Sequence, residues 1–130
     1  MFDKELAYNV IGQIIETIHV VQKRTGRIST AADFTSSDQR MMVLDSVCMK
    51  LAAIGESIKN LDKITNRQLL KHYTQIHWKQ AIGMRDIIVH HYFDIDAEVI
   101  FKTLIEDIPP LLQVLKSIQS DLKYREPGNN

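Results

Sequence analysis

Apolar positions in this chain recur every three or four residues almost from end to end. In "ELAYNVIGQIIETIHVVQKR", Leu6, Val10, Ile14, Ile18 and Val21 fall on one stripe. A long amphipathic helix is expected there, ending where Arg24, Gly26 and Arg27 break the pattern. "RTGRISTAADFTSS", small and polar, reads as a loop. Ser36 and Gln39 have capping-box spacing and open a second helix. Its core face runs Met41, Leu44, Val47, Cys48, Leu51, Gly55, Ile58. Thr65 caps a short third helix through Leu69, Leu70 and Tyr73. The next helix, in "QIHWKQAIGMRDIIVHHYF", starts near Trp78 and stops before Asp94 and Asp96. Asp96 is a suitable cap for "AEVIFKTLIEDI", and Pro109 and Pro110 either kink or split the rod that follows. "PLLQVLKSIQSDLKYR" is again amphipathic. No stretch alternates with a strand period and nothing repeats. The pattern predicts an all-α, up-and-down bundle of four to five helices forming one domain over residues 1–124, with a flexible tail at 125–130.

Composition narrows the class of partner. The chain has 130 residues, 45% apolar and 25% charged, enough to bury a core without disulfides. Sixteen basic and sixteen acidic side chains cancel, which argues against a protein that coats DNA. The one cysteine, Cys48, cannot close an internal disulfide and suits a reducing cytoplasm. The first ten residues, "MFDKELAYNV", carry acids and no long apolar run, so a secretory signal is not expected. The apolar runs are too short to cross a bilayer.

One helix departs from the simple pattern. "RDIIVHHYF" packs an arginine, an aspartate, two histidines and a tyrosine into two turns. With roughly 100° per residue and Arg85 as zero, Trp78, Ala81, Ile82, Ile88 and Val89 lie within about 60° of it. Arg85 is therefore expected in the apolar stripe, where a charge is costly unless paired or used. Asp86 and His90, four apart, are neighbours on the flank, and His91 points elsewhere. A guanidinium can grip a phosphate and stabilise charge that develops on it. A histidine can move protons near neutral pH. Together they suffice, without a metal or other cofactor, to make a ribose 2′-hydroxyl attack its own phosphate, a route closed to DNA. The structural alternative is an arginine that pairs with Glu56 or Asp86 and a histidine that favours the helix C-terminus. Glu56, next to Gly55, is placed to orient Arg85 or His90.

Other features have blander readings. No acid occurs from Lys63 to Arg85, while Lys63, Arg67, Lys71 and Lys79 are basic and Tyr73 and Trp78 lie between them. That run suits single-stranded RNA, or a solvated face with one buried tryptophan. His72 and His77 lack acidic or thiol neighbours, so no metal site is expected. The methionines, Met41 and Met42 among them, read as packing or interface filler. Gly55 and Gly83 are expected to let helices approach closely.

The stretch has the form RxxxxHxY, with a polar residue after the arginine. It resembles the motif of the HEPN superfamily of small helical proteins, many of them metal-independent ribonucleases. "WKQAIGMRDIIVHHYFDID", "AIGESIKNL" and the proline after "FKTLIEDIP" look like the HepT-like toxin branch, over about Ser37 to Leu122. The resemblance implies a two-fold dimer with the motif helices at the interface. It implies Arg85 and His90 as the catalytic pair, Asp86 as support, and Tyr92 as the residue that an antitoxin adenylylates. The implied partners are an RNA substrate and a MntA-like nucleotidyltransferase antitoxin, in a type VII-like toxin–antitoxin pair. A two-fold arrangement also suits the helical angles. Arg85 and His90 lie roughly 140° apart on one helix, whereas facing copies bring one arginine to the other's histidine. The competing reading is a non-catalytic HEPN module that holds a nucleotidyltransferase or a nucleotide. Intact Arg85 and His90 favour the ribonuclease.

Overall fold

The computed structural model describes residues 2–91 and 93–124. Every regular element among them is helical, as the periodicity predicts, with no strand. There are five α-helices: α1 (Lys4–Arg24), α2 (Asp38–Ile64), α3 (Trp78–His90), α4 (Ala97–Lys102) and α5 (Ile108–Tyr124). α4 and α5 are parts of one rod, joined through a single π turn at Thr103–Asp107. The expected tail at 125–130 lies outside the described residues.

The apolar stripes converge on one core. α1 contributes Ala7, Ile11, Ile14, Ile18 and Val21, all at most 1% exposed. The stripe is therefore turned slightly from the predicted one, leaving Leu6 46% exposed on its flank. α2 packs between α1 and α3 through Val47, Leu51, Ile54, Ile58 and Leu61, and α5 closes the far side of α1. Met41, expected in this core, is 47% exposed, because the buried arc starts at Leu44. Cys48 is buried, and desolvation with Asp45 nearby pushes its thiol up to about 11.

Several boundaries move for reasons of hydrogen bonding. Ser37, not Ser36, caps α2: its hydroxyl accepts from the Arg40 N–H at 3.1 Å. Ser36 instead donates to the Asp33 carbonyl. The supposed loop before it holds a short 3₁₀ turn, Ala31–Thr35, which drops Phe34 fully into the core. Asp33 ties that turn down by accepting from Ser29 N–H at 2.7 Å and Thr30 N–H at 3.0 Å. These two bonds, aided by Arg40, hold its carboxyl below the ordinary value. Thr65 does not open a third helix but ends α2, its buried hydroxyl donating to the Leu61 carbonyl at 2.8 Å. Asn66 and Arg67 then take left-handed φ of 56° and 58°, which reverses the chain, and only a 3₁₀ turn at Leu70–His72 follows. Asp96 caps α4 as expected, accepting from Glu98 N–H.

The prolines explain the π turn. Pro109 and Pro110 have no N–H for the carbonyls four residues back, and their rings would collide with them. The widened turn relieves the clash, and the Ile108 N–H reaches the Thr103 carbonyl five residues back. The rod is thus neither broken by a loop nor plainly α-helical.

Candidate active site on the third helix

α3 is positioned by one small residue. A Cβ at Gly55 of α2 would lie 3.0 Å from the Arg85 nitrogen and 3.2 Å from the carbonyl oxygens of Ala81 and Ile82. The two backbones touch there, which only glycine allows. Gly83 has no such role: nothing lies within 4 Å of its added Cβ. Upstream, the Trp78 indole is half-buried against the core and donates to the Tyr73 carbonyl at 2.8 Å. The Tyr73 hydroxyl donates to Asp121 of α5 at 2.6 Å. These half-buried rings fix the start of α3, between the exposed Lys71 and Lys79.

The contact at Gly55 puts Glu56 beside Arg85. The Arg85 Nε lies 3.4 Å from Glu56 Oε2, and its Nη1 donates to Asp86 Oδ1 at 3.1 Å. Both carboxylates named as possible partners thus hold the guanidinium at once. Arg85 is not sunk in an apolar stripe. Its backbone packs on Gly55, while its side chain rises to the surface, 46% exposed. Ion pairs this wet are worth roughly 0–1 kcal/mol, so a phosphate can compete for the arginine. A guanidinium offers five N–H donors, and the two carboxylates engage two of its nitrogens, leaving Nη2 for a substrate oxygen.

His90 stands in the last turn of α3 with its imidazole exposed. Among the described residues it makes no hydrogen bond or ion pair. Asp86, its neighbour on the flank, turns to Arg85. His91 points away, as the helical angle predicts, with Nδ1 3.7 Å from Asp94 Oδ1. Tyr92 lies outside the described residues. The single chain therefore brings Arg85, Asp86 and Glu56 together and leaves His90 separate.

Around this edge the surface is apolar. Ile87 and Val89 are 52% and 49% exposed, and Met42 and Met49 on α2 are 69% and 73% exposed. Met42, Met49 and Glu56 are seven apart, so they line one face of α2 that leads to Arg85. These methionines are not core filler, and the sequence offered no way to tell them from buried ones. Among the described residues no helix is long and apolar enough to cross a membrane.

An all-helical bundle with an arginine and a histidine five residues apart on one solvent-facing helix has the architecture of a HEPN domain. The chain matches the family described as "Ribonuclease HepT-like" over residues 13–118, and it belongs to that family. It is 30% identical over 112 residues to a Methanocaldococcus jannaschii protein named "Gamma-glutamylcyclotransferase and putative RNase", covering 86% of this chain and 47% of that one. This chain thus spans about half the length of that relative. A Thermococcus cleftensis protein named "Probable ribonuclease HepT" is 33% identical over 98 residues, 75% of this chain and 82% of its own. No solved structure gave a significant match.

Proposed function

We propose that this chain is a metal-independent endoribonuclease, the toxin of a type VII-like toxin–antitoxin pair, acting as a two-fold dimer. Family membership and the names of its relatives support the ribonuclease. The observation that carries the mechanism is the half-exposed Arg85, with Glu56 at its Nε and Asp86 at its Nη1, on the same helix as a His90 that makes no hydrogen bond or ion pair among the described residues. In the reaction, an imidazole takes the proton of a ribose 2′-hydroxyl. The 2′ oxygen bonds to phosphorus and the 5′ oxygen leaves with a proton. Arg85 stabilises the charge on the phosphorane, and the products carry a 2′,3′-cyclic phosphate and a 5′-hydroxyl. Two facing copies supply two histidines, one to accept the first proton and one to give the second. The exposed methionine face of α2 and Val89 favour such a pairing, because they surround Arg85 with apolar surface that a second copy can cover.

The test is cleavage of single-stranded RNA in the presence of chelator. His90→Ala and Arg85→Ala are each expected to lower the rate at least about a hundredfold. His91→Ala should retain most of it. Full activity in His90→Ala would remove the assignment. The alternative, a module that binds a nucleotidyltransferase without cutting, takes its support from the two carboxylates that already occupy Arg85, and it predicts no cleavage by the wild-type chain.

Silencing by a MntA-like nucleotidyltransferase belongs to the same reading and is supported by the resemblance alone. An adenylyl group on Tyr92 would add a phosphate seven residues along the chain from Arg85, a group that a guanidinium can pair with. Protein made together with an active nucleotidyltransferase should gain adenylyl mass on the peptide containing Tyr92, and Tyr92→Phe should not. A Tyr92→Phe chain that the partner still silences fully would show that silencing is steric.

A further inference from the structure

A second feature flanks the histidine. Going round α3 from Arg85 by roughly 100° per residue, Asp86, His90, Ile87 and His91 follow in that angular order. Arg85 thus lies to one side of His90, and a cavity of about 310 Å³ opens on the other side, between the end of α3 and the start of α4. Its walls are aliphatic: Ile87 and Ile88 from α3, Ile95 from the turn, Val99 and Ile100 from α4. Its rim is not: His91, Asp94 and Asp96 stand there, with Asp94 79% exposed. In the turn between His91 and Asp94, the ring of Phe93 is 97% exposed.

We infer that this cavity, on the flank of α3 beyond His90, takes a base of the RNA strand, and that guanine fits it best. The inference rests on the ribonuclease reading and extends it to substrate choice. The rim carboxylates repel the strand's phosphates, so a neutral group must enter. Flat aliphatic walls accept the faces of an unstacked base, and single-stranded RNA is read through such splayed bases. The cavity is at the small end for ligand sites, which suits one base. A carboxylate accepts and cannot donate, so it favours an edge rich in N–H groups. The Watson–Crick edge of guanine presents N1–H and the N2 amino group side by side, a pair that one carboxylate can receive. Asp94 is the better reader: it is 79% exposed and its Oδ1 only approaches His91 Nδ1, at 3.7 Å, whereas Asp96 accepts the Glu98 N–H at 2.9 Å to cap α4.

The experiment uses the whole chain with isotope-labelled Ile and Val methyls, titrated with the four ribonucleoside 5′-monophosphates. Guanosine monophosphate is expected to shift Ile95, Val99 and Ile100, and to bind roughly tenfold more tightly than the other three. Val99→Trp, at a residue that is 45% exposed and so tolerant of size, should fill the cavity and abolish the shifts. Asp94→Asn should lose the preference for guanine while keeping binding. Mapped cleavage ends should then cluster beside guanines in wild type and scatter in Asp94→Asn. Monophosphates that leave these methyls unmoved, or that shift them equally in Val99→Trp, overturn the proposal. So do methyls already covered by a second copy or a protein partner. Guanosine binding without any RNA cleavage would sink the ribonuclease reading and leave the pocket. Cleavage blind to base, and unchanged in Asp94→Asn, would do the reverse.

Discussion

Gly55 is the residue on which the geometry of the site turns. An alanine there has two opposed effects. It improves helix propensity by about 1 kcal/mol relative to glycine. It also places a methyl 3.0 Å from the Arg85 nitrogen and 3.2 Å from two carbonyl oxygens, all backbone atoms that cannot swing aside. Overpacking of that kind costs about 1–3 kcal/mol. The cost wins, so Gly55→Ala should lower the urea midpoint by the equivalent of about 1 kcal/mol. It should also lower RNA cleavage by more than stability explains, because α3 is pushed off Glu56. An increase in stability of about 1 kcal/mol would mean that propensity alone decides and that the close approach is slack. Reading the sequence picked out Gly55, but gave Gly83 the same role. Both are glycines in helical runs, and only the tertiary contact separates them.

At the scale of elements, what terminates a helix depended on hydrogen bonds one residue apart. Ser36 and Ser37 are chemically identical, and the one whose hydroxyl meets a helical N–H is Ser37. The turn before it depends on the Asp33 carboxylate. Bonds from Ser29 and Thr30, with Arg40 nearby, keep that carboxyl below its ordinary value. A depressed folded value means that the ionised form is favoured by folding. Its stabilisation is present above the ordinary carboxylate range, about pH 4, and disappears as pH falls through the lower folded value. Asp33→Asn should therefore melt below wild type at pH 7, and the two curves should converge as the pH falls below the ordinary carboxylate range. A gap that stays constant over that range would show that the charge is not what holds the turn. Phe34, buried by the same turn, was missed because a single aromatic among small polar residues carries no period.

For the molecule as a whole, the proposed chemistry divides the site between two chains. One copy unites Arg85 with Glu56 and Asp86 but leaves His90 round the helix from them. On the two-fold reading, the exposed face of Met42 and Met49 is buried in the pair. Met49→Glu should convert a dimer at micromolar concentration into a monomer in sedimentation and abolish cleavage, with helical content unchanged by circular dichroism. A Met49→Glu monomer that still cuts RNA would place the whole site in one chain.

The sequence by itself determined that the chain is helical, where α3 begins and where α4 is capped. Those depend on local periodicity and on side chains bonding to backbone a few residues away. It also singled out Arg85, because a charge at an apolar phase is visible without coordinates, with Asp86 and His90 on the neighbouring flank and Glu56 beside Gly55. Only the tertiary structure decided that both Glu56 and Asp86 hold Arg85, and that the methionines face outward. Only it decided that Tyr73 and Trp78 anchor the start of α3. Those outcomes depend on which helices meet and at what rotation. The burial of a flexible or amphipathic side chain follows from its neighbours in space, about which spacing along the chain is silent.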